Sequence, residues 1–411
     1  MAASSIDYAR LYSEGLPDPT PRFTPFPPYY FIGGNNDPEQ IPIEGLIAAA
    51  DTVLRREGSK LAIYNLGLGP QGYPGLRQFV ADKSKRHRGI DAPIDDITIT
   101  SGSGQGIDMI SRLLVNPGDT VLVEEFCYQG AMNRFRKLGA KLEGMALDAD
   151  GIVIDALAAQ LASLKAKGVT PKFIYTIPTI QNPTGSILPL DRRHALIKLA
   201  REYNVAIFED ECYADLIWQG IDAPPALYAL DPGCVIHLGS FSKSLAPALR
   251  LGYVIAEWEI MKRLLPLKGD SGTGALDQMV VAEYFSKHFD DHLPHLNTVL
   301  HDKLQTMIEA VEREFGSAAE CWVPKGGIFL WIKLPQNVDV RTLIKPAADA
   351  GIVFNAGPDW AVSADNSSSH LRLCFAMPSK DVIRKGVAAL AKVCYEQTGI
   401  PEQSGNVRRA G

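Results

Sequence analysis

Nowhere in this 411-residue chain do 18 apolar residues run together, so no segment reads as a bilayer-crossing helix. Cysteines are few and scattered: six, at 127, 212, 234, 321, 374 and 394, with no two closer than 20 positions. The close C-x-x-C spacing of a structural zinc or dithiol redox site is therefore missing, and reduced thiols are expected, with no metal. An excess of one charge is missing too, 41 Lys+Arg standing against 47 Asp+Glu for a net charge of −6. Without a basic field the chain is not built to hold nucleic acid or an anionic membrane, and small molecules are the expected partners. The first ten residues have neither the basic start nor the apolar stretch of an export signal, and a cytoplasmic location is expected. No internal repeat is visible.

What is present is the composition of a folded enzyme: 46% hydrophobic residues, 21% charged, 36 Gly and 28 Pro. The length exceeds one ordinary domain of about 100–200 residues, so two units are expected. Eight prolines fall in residues 1–45, which read as an irregular arm joining a second, smaller domain. Over 46–284, short β-branched runs at 97–100, 120–123, 173–177, 205–208, 235–238 and 252–256 alternate with amphipathic helical stretches. That alternation predicts an α/β fold, a large domain whose mostly parallel sheet is flanked by helices. Over 285–401 a helix at 296–315, strands at 327–334 and 370–376, and a closing helix at 381–395 predict a smaller α+β domain. Residues 402–411 read as a disordered tail.

Two short patterns fail on context. Gly67, Gly69 and Gly72 have the G-x-G-x-x-G spacing of a dinucleotide turn, with Pro74 placed to open a helix. Such a unit needs a second strand ending in an acid about 20 residues on. The approach to Asp91 is instead a charged run over 82–88. Ser240 and Lys243 match the S-x-x-K of penicillin-binding serine enzymes, but no S-D-N or K-T-G accompanies them, Lys325, Gly326 and Gly327 being a distant echo.

Loops leaving the carboxyl ends of strands carry more weight, because doubly wound sheets bind ligands there. After 97–100 come Ser101, Gly102, Ser103, Gly104, Gln105 and Gly106, whose free amides and helix dipole suit a phosphate; alone, the segment could be a plain turn. After 173–177 come Asn182, Pro183, Thr184 and Gly185. After 205–208 come Asp210 and Tyr213, though an acid there is commonly a helix cap. After 235–238 come Ser240, Ser242 and Lys243, with Arg250 and Gly252 following. A phosphate loop, an amide donor, a strand-end carboxylate and a lysine in a hydroxyl-rich turn are together the parts that hold pyridoxal phosphate as a Schiff base.

On these motifs, in this order and at these distances, the chain resembles the fold-type I, class I/II aminotransferases over roughly residues 30–395. Within them it is similar to the branch containing the aromatic, kynurenine and 2-aminoadipate aminotransferases. The resemblance implies the pyridoxal-phosphate-dependent transferase fold, a homodimer, and a ping-pong exchange between a 2-amino acid and a 2-oxo acid. It implies that Lys243 bonds the cofactor and, once freed by substrate, shuttles the α-proton, which requires a lowered pKa. Asp210 would keep the pyridine nitrogen protonated, with Asn182 and Tyr213 on the ring's 3-oxygen. Ser103, the Gly104 amide, Ser240, Ser242 and Arg250 would hold the phosphate, and Tyr128 would stack on the ring, its plain alternative being an ordinary buried tyrosine. Arg372 would clamp the substrate α-carboxylate through a planar two-pronged contact, the plain alternative being a solvated arginine. Gly33, Gly34 and Asn35 match the segment that closes over substrate, Gly34 being the substrate-binding position. One departure stands out: relatives carry a tyrosine five residues before the glycine that is here Gly72, whereas Tyr64 precedes it by eight.

Two rivals share this scaffold. A cofactor-dependent elimination, decarboxylation or oxidation would use the same residues, since fold does not dictate which bond breaks. The sensor domain of a transcription regulator would need a winged-helix module ahead of it, which the proline-rich arm does not resemble.

Overall fold

The computed structural model describes residues 6–14, 16 and 19–401; the tail expected over 402–411 lies outside them. Seven strands form the main sheet: β1 (Ile97–Thr100), β2 (Thr120–Glu124), β3 (Lys141–Met145), β4 (Phe173–Thr176), β5 (Ala206–Asp210), β6 (Val235–Ser240) and β7 (Gly252–Ile255). Their order is β1-β7-β6-β5-β4-β2-β3, with β7 antiparallel to both its neighbours and the other pairs parallel. Helices cover both faces, which is why the strands other than the edge strand β3 are buried almost throughout instead of alternating. The two-residue period shows in where each side chain goes. Leu122, Ile174 and Ile207 enter one core, while Val121, Val123, Tyr175 and Phe208 enter the other. Each such buried aliphatic or aromatic side chain contributes about 1.5–3 kcal/mol.

Helix α1 (Ser103–Leu114) follows β1, and helix α2 (Gln129–Lys137) follows β2. Ile107, Ile110, Met132 and Phe135 pack these two helices on the same face of the sheet. Strand β3 was not expected. As the sheet's edge it reads Lys-Leu-Glu-Gly-Met, with Lys141 and Glu143 pointing to solvent, and charged residues on an edge strand obscure its apolar character.

A single helix, α3 (Ala275–Phe315), runs for 41 residues and contains Pro294. The expected helix at 296–315 is only its second half, and the expected domain boundary at 284/285 falls inside it. A proline interrupts the apolar period and removes one N–H, so the pattern reads as a break. Tertiary packing carries the helix through: Met279, Val281, Phe285 and Phe289 sit in one hydrophobic core, against the large sheet, and Leu296, Leu300, Leu304 and Met307 in a second.

A second, antiparallel sheet is formed by β8 (Glu320–Trp322), β9 (Phe329–Lys333), β10 (Asn355–Ala356) and β11 (His370–Cys374), in the order β8-β9-β11-β10. The arm is sewn to it. Tyr29–Tyr30 pairs in parallel with Ile352–Val353, and Phe31 accepts from the Cys374 amide at 2.8 Å while its ring is fully buried in this core. Among the described residues no helix is long and apolar enough to cross a membrane.

Candidate active site

The loops leaving β1, β4, β5 and β6 meet β11 and the arm around one cavity of about 390 Å³. Of the residues singled out from the sequence, Lys243, Asp210, Tyr213, Ser103, Gly104, Tyr128, Asn182, Ser240, Ser242, Arg250, Gly34 and Arg372 line it. Tyr64 does not; it is 87% exposed on the outer surface.

Lys243 follows β6 and projects into the cavity, where Nζ donates to the Gly34 carbonyl at 2.7 Å. The arm is held over it by Asn36, whose Nδ2 donates to the carbonyls of Leu245 at 2.9 Å and of Lys243. The bare Cα of Gly34 leaves room for Nζ at this point, since a Cβ there would make the lysine side chain shift. Burial lowers the Lys243 pKa, and the cations Arg372 and Arg250 add to the effect, so the neutral amine a nucleophile or base requires is favoured.

Asp210 ends β5. Its Oδ2 accepts from the Tyr175 hydroxyl at 2.8 Å and its Oδ1 from the Cys212 amide at 3.1 Å, so the carboxylate is aimed rather than free to rotate. Burial raises its pKa, while these two hydrogen bonds work the other way by favouring the charged form.

At the opposite side, α1 presents its N-terminus, where the first amides lack helical partners. Gly102 before it takes φ +76°, a conformation L side chains rarely adopt, and a Cβ there would collide with the Arg250 guanidinium. Arg250 itself is left-handed at φ +53°, at a cost of about 1–2 kcal/mol. Ser240 Oγ accepts from the Ser242 amide at 3.1 Å, and both hydroxyls line the cavity. Two serines, free amides and an arginine make a site for a phosphate dianion.

Arg372 comes from β11 and is 2% exposed. Its Nη1 donates to Asn182 Oδ1 at 2.8 Å and its Nη2 to Asn355 Oδ1 at 2.7 Å. Its guanidinium carbon lies 3.6 Å from the ring centre of Phe329 and 3.5 Å from that of Trp360. Burial pushes its pKa down to about 10, and Nε has no partner among the described residues. A buried guanidinium with a donor to spare has the chemistry to receive a carboxylate. Tyr128, half-buried just before α2, packs beside Trp360 at 6.0 Å.

Asn36, Tyr175, Phe329, Asn355, Trp360 and Arg134 also shape the site and were not picked out from the sequence. None stands in a motif; each is an ordinary side chain until the fold delivers it.

Residues 34–390 match the family model described as aminotransferase class I and II. The chain belongs to this family. It is 32% identical to a 2-aminoadipate transaminase of Thermus thermophilus, over 88% of this chain and 89% of that one. It is 30% identical to aromatic-amino-acid aminotransferase 1 of Thermococcus litoralis, over 89% and 87%. Among solved structures, an α-aminoadipate aminotransferase of Thermus thermophilus complexed with N-(5'-phosphopyridoxyl)-L-leucine superposes with a TM-score of 0.82 at 31% identity, covering 90% of this chain and 93% of that one. The aminotransferase uses pyridoxal phosphate to exchange amino groups between amino acids and 2-oxo acids. The residues present fit that cofactor: an arginine fills the space beside the bare Gly102, an aimed carboxylate stands apart from it, and an amine of lowered pKa lies in the same cavity.

Proposed function

We propose that transamination here is carried by Lys243, Asp210 and Arg372, and the observation that supports this most directly is their convergence in one cavity from three separate strands. When bound, pyridoxal phosphate supplies a carbonyl that condenses with amines and a ring that withdraws electrons from the α-carbon. Ser103, the Gly104 amide, Ser240, Ser242 and Arg250 hold its phosphate. Asp210 keeps a proton on the ring nitrogen, Asn182 and Tyr213 hydrogen-bond the 3-oxygen, and Tyr128 covers the ring. Lys243 Nζ, its pKa lowered by burial, would take the substrate's α-proton and give it back in the course of the exchange. Arg372 anchors the α-carboxylate of amino acid and oxo acid alike, and the Gly34 carbonyl, on the arm, borders the place where substrate enters.

Borohydride reduction of the holoenzyme followed by peptide mapping tests the first assignment. The cofactor is expected on the peptide containing Lys243; its appearance on Lys262 or Lys268 would overturn the reading. Amino acid alone should convert the bound cofactor to its amine form and oxo acid alone should reverse it, which elimination or decarboxylation would not do.

We further infer a homodimer. Ile43, Ile47, Leu54, Leu61, Ile63, Tyr64 and Leu68 are all exposed within one short stretch of chain, a surface apolar enough to be covered by a second copy. Light scattering should give twice the chain mass, and a fully active monomer at dilution contradicts it. Six free thiols support a cytoplasmic location.

A further inference from the structure

We propose that Arg134 is a second phosphate-binding arginine, reaching the cofactor's phosphate over the bare Cα of Gly104. The inference rests on the assignment of the phosphate to the start of α1 and adds to it a residue from α2.

Arg134 lies one turn and a half into α2. Its Nη1 donates to the Gly130 carbonyl at 2.7 Å, four residues back, which folds the side chain toward the N-terminal end of its own helix and into the cavity. There Nη2 stands 2.9 Å from the position a Cβ on Gly104 would occupy. Gly102, two residues earlier, is related to Arg250 in the same way, its missing side chain leaving the space that the Arg250 guanidinium fills. Two bare positions at one helix N-terminus thus each admit an arginine, and the two guanidinium groups flank a single turn.

Charge gives an independent argument. Besides Lys243, the cavity is lined by three arginines, Arg134, Arg250 and Arg372, and one carboxylate, Asp210. Arg372 is committed to the substrate carboxylate and Lys243 to the cofactor carbonyl. A phosphate monoester carries roughly −1.5 to −2 at neutral pH. Arg250 alone neutralises half of that, and Arg134 supplies the rest. Among the described residues the Arg134 guanidinium makes its bond to Gly130 and no ion pair, which leaves Nη2 without a protein partner.

The test is the affinity of the apoenzyme for pyridoxamine phosphate and for pyridoxamine, which lacks the phosphate, by equilibrium dialysis. Arg134→Gln retains an amide donor for the Gly130 carbonyl and should weaken pyridoxamine phosphate by about 10- to 100-fold while leaving pyridoxamine within about twofold. Arg134→Lys should recover part of the loss. Gly104→Ala keeps the amide but displaces the guanidinium, so it should weaken pyridoxamine phosphate in the wild-type background and have little effect beside Arg134→Gln. Arg250→Gln separates the two readings. If it shows the phosphate-selective loss and Arg134→Gln does not, the proposal for Arg134 is wrong and the phosphate site stands; if Arg250→Gln shows none, the phosphate site itself is misplaced. An equal loss for both ligands would make Arg134 a structural residue. A raised KM confined to dicarboxylate substrates, with cofactor affinity intact, would assign it to the substrate side chain instead. Either result overturns the proposal.

Discussion

Arg372, on β11, donates to Asn182, in the loop after β4, Nη1 to Oδ1 at 2.8 Å, joining residues 190 positions apart. Asn182 in turn donates from Nδ2 to the Tyr213 hydroxyl at 3.4 Å. One amide side chain therefore touches the proposed substrate clamp on one side and the proposed partner of the ring oxygen on the other. With Asn355 holding Nη2 and two aromatic faces above and below, the guanidinium is fixed before any ligand arrives. Preorganisation of this kind spares the ordering entropy that a free side chain would lose on binding.

Arg372→Ala should lower kcat/KM by about 30- to 1,000-fold, the roughly 2–4 kcal/mol of a lost charged contact. The loss should be general, for amino acid donors and oxo acid acceptors alike, with cofactor content near wild type. Arg372→Lys should fare little better, because an ammonium supplies neither the planar fork nor the stacking between Phe329 and Trp360. Steady-state kinetics of both half-reactions check this; a loss restricted to acidic side chains would show that Arg372 reads the distal group.

Asp210→Ala should still bind cofactor but lose turnover by roughly 100- to 1,000-fold, the scale of about 3–4 kcal/mol expected when a buried charge loses its partner. Tyr175 would also lose its acceptor. Single-turnover kinetics with dialysis-measured cofactor content distinguish the two effects, and near-normal turnover would remove Asp210 from the site.

Phe31→Ala should cost about 3–5 kcal/mol, since the ring is fully buried in the smaller core and helix Lys380–Thr398 leaves it room only at Gly386, where a Cβ would strike the ring. The same substitution loosens the arm three residues before Gly34, whose carbonyl receives Lys243. Activity should therefore fall under conditions where circular dichroism shows the protein still folded.

His370 sits two residues before Arg372, its ring stacked on Trp331 at 5.3 Å and tilted against Trp322 and Phe126. Burial lowers its pKa to about 4, with Lys333 adding to the effect. An unfolded chain binds this proton below about pH 6.5 and the folded chain only near 4, so His370 weakens the fold progressively as pH falls through that window. His370→Phe keeps an aromatic ring and cannot titrate. Relative to wild type it should gain about 1–2 kcal/mol between pH 6.5 and 4, allowing for partial solvent screening. Melting temperatures across that range read the difference, and parallel pH profiles would contradict it.

The sequence by itself determined the parallel sheet, the loops at its carboxyl edge and the cofactor. Those signals are local: an apolar run of strand length, a Ser-Gly turn before a helix, a lysine three residues after a serine. Only the tertiary structure decided what surrounds them. Tyr175 aims Asp210 from the neighbouring strand β4, Asn36 ties the arm above Lys243 from 207 positions away, and Asn355 meets Arg372 because β10 and β11 pair. Arg134 became a phosphate candidate only when α2 packed beside α1 and brought it over Gly104. Likewise Pro294 reads as a helix end along the chain, yet α3 continues past it, with its two halves packed in two hydrophobic cores. A side chain's chemistry is written in its residue type, but the desolvation and the partners that give it a role come from segments far along the chain, and only the fold brings those together.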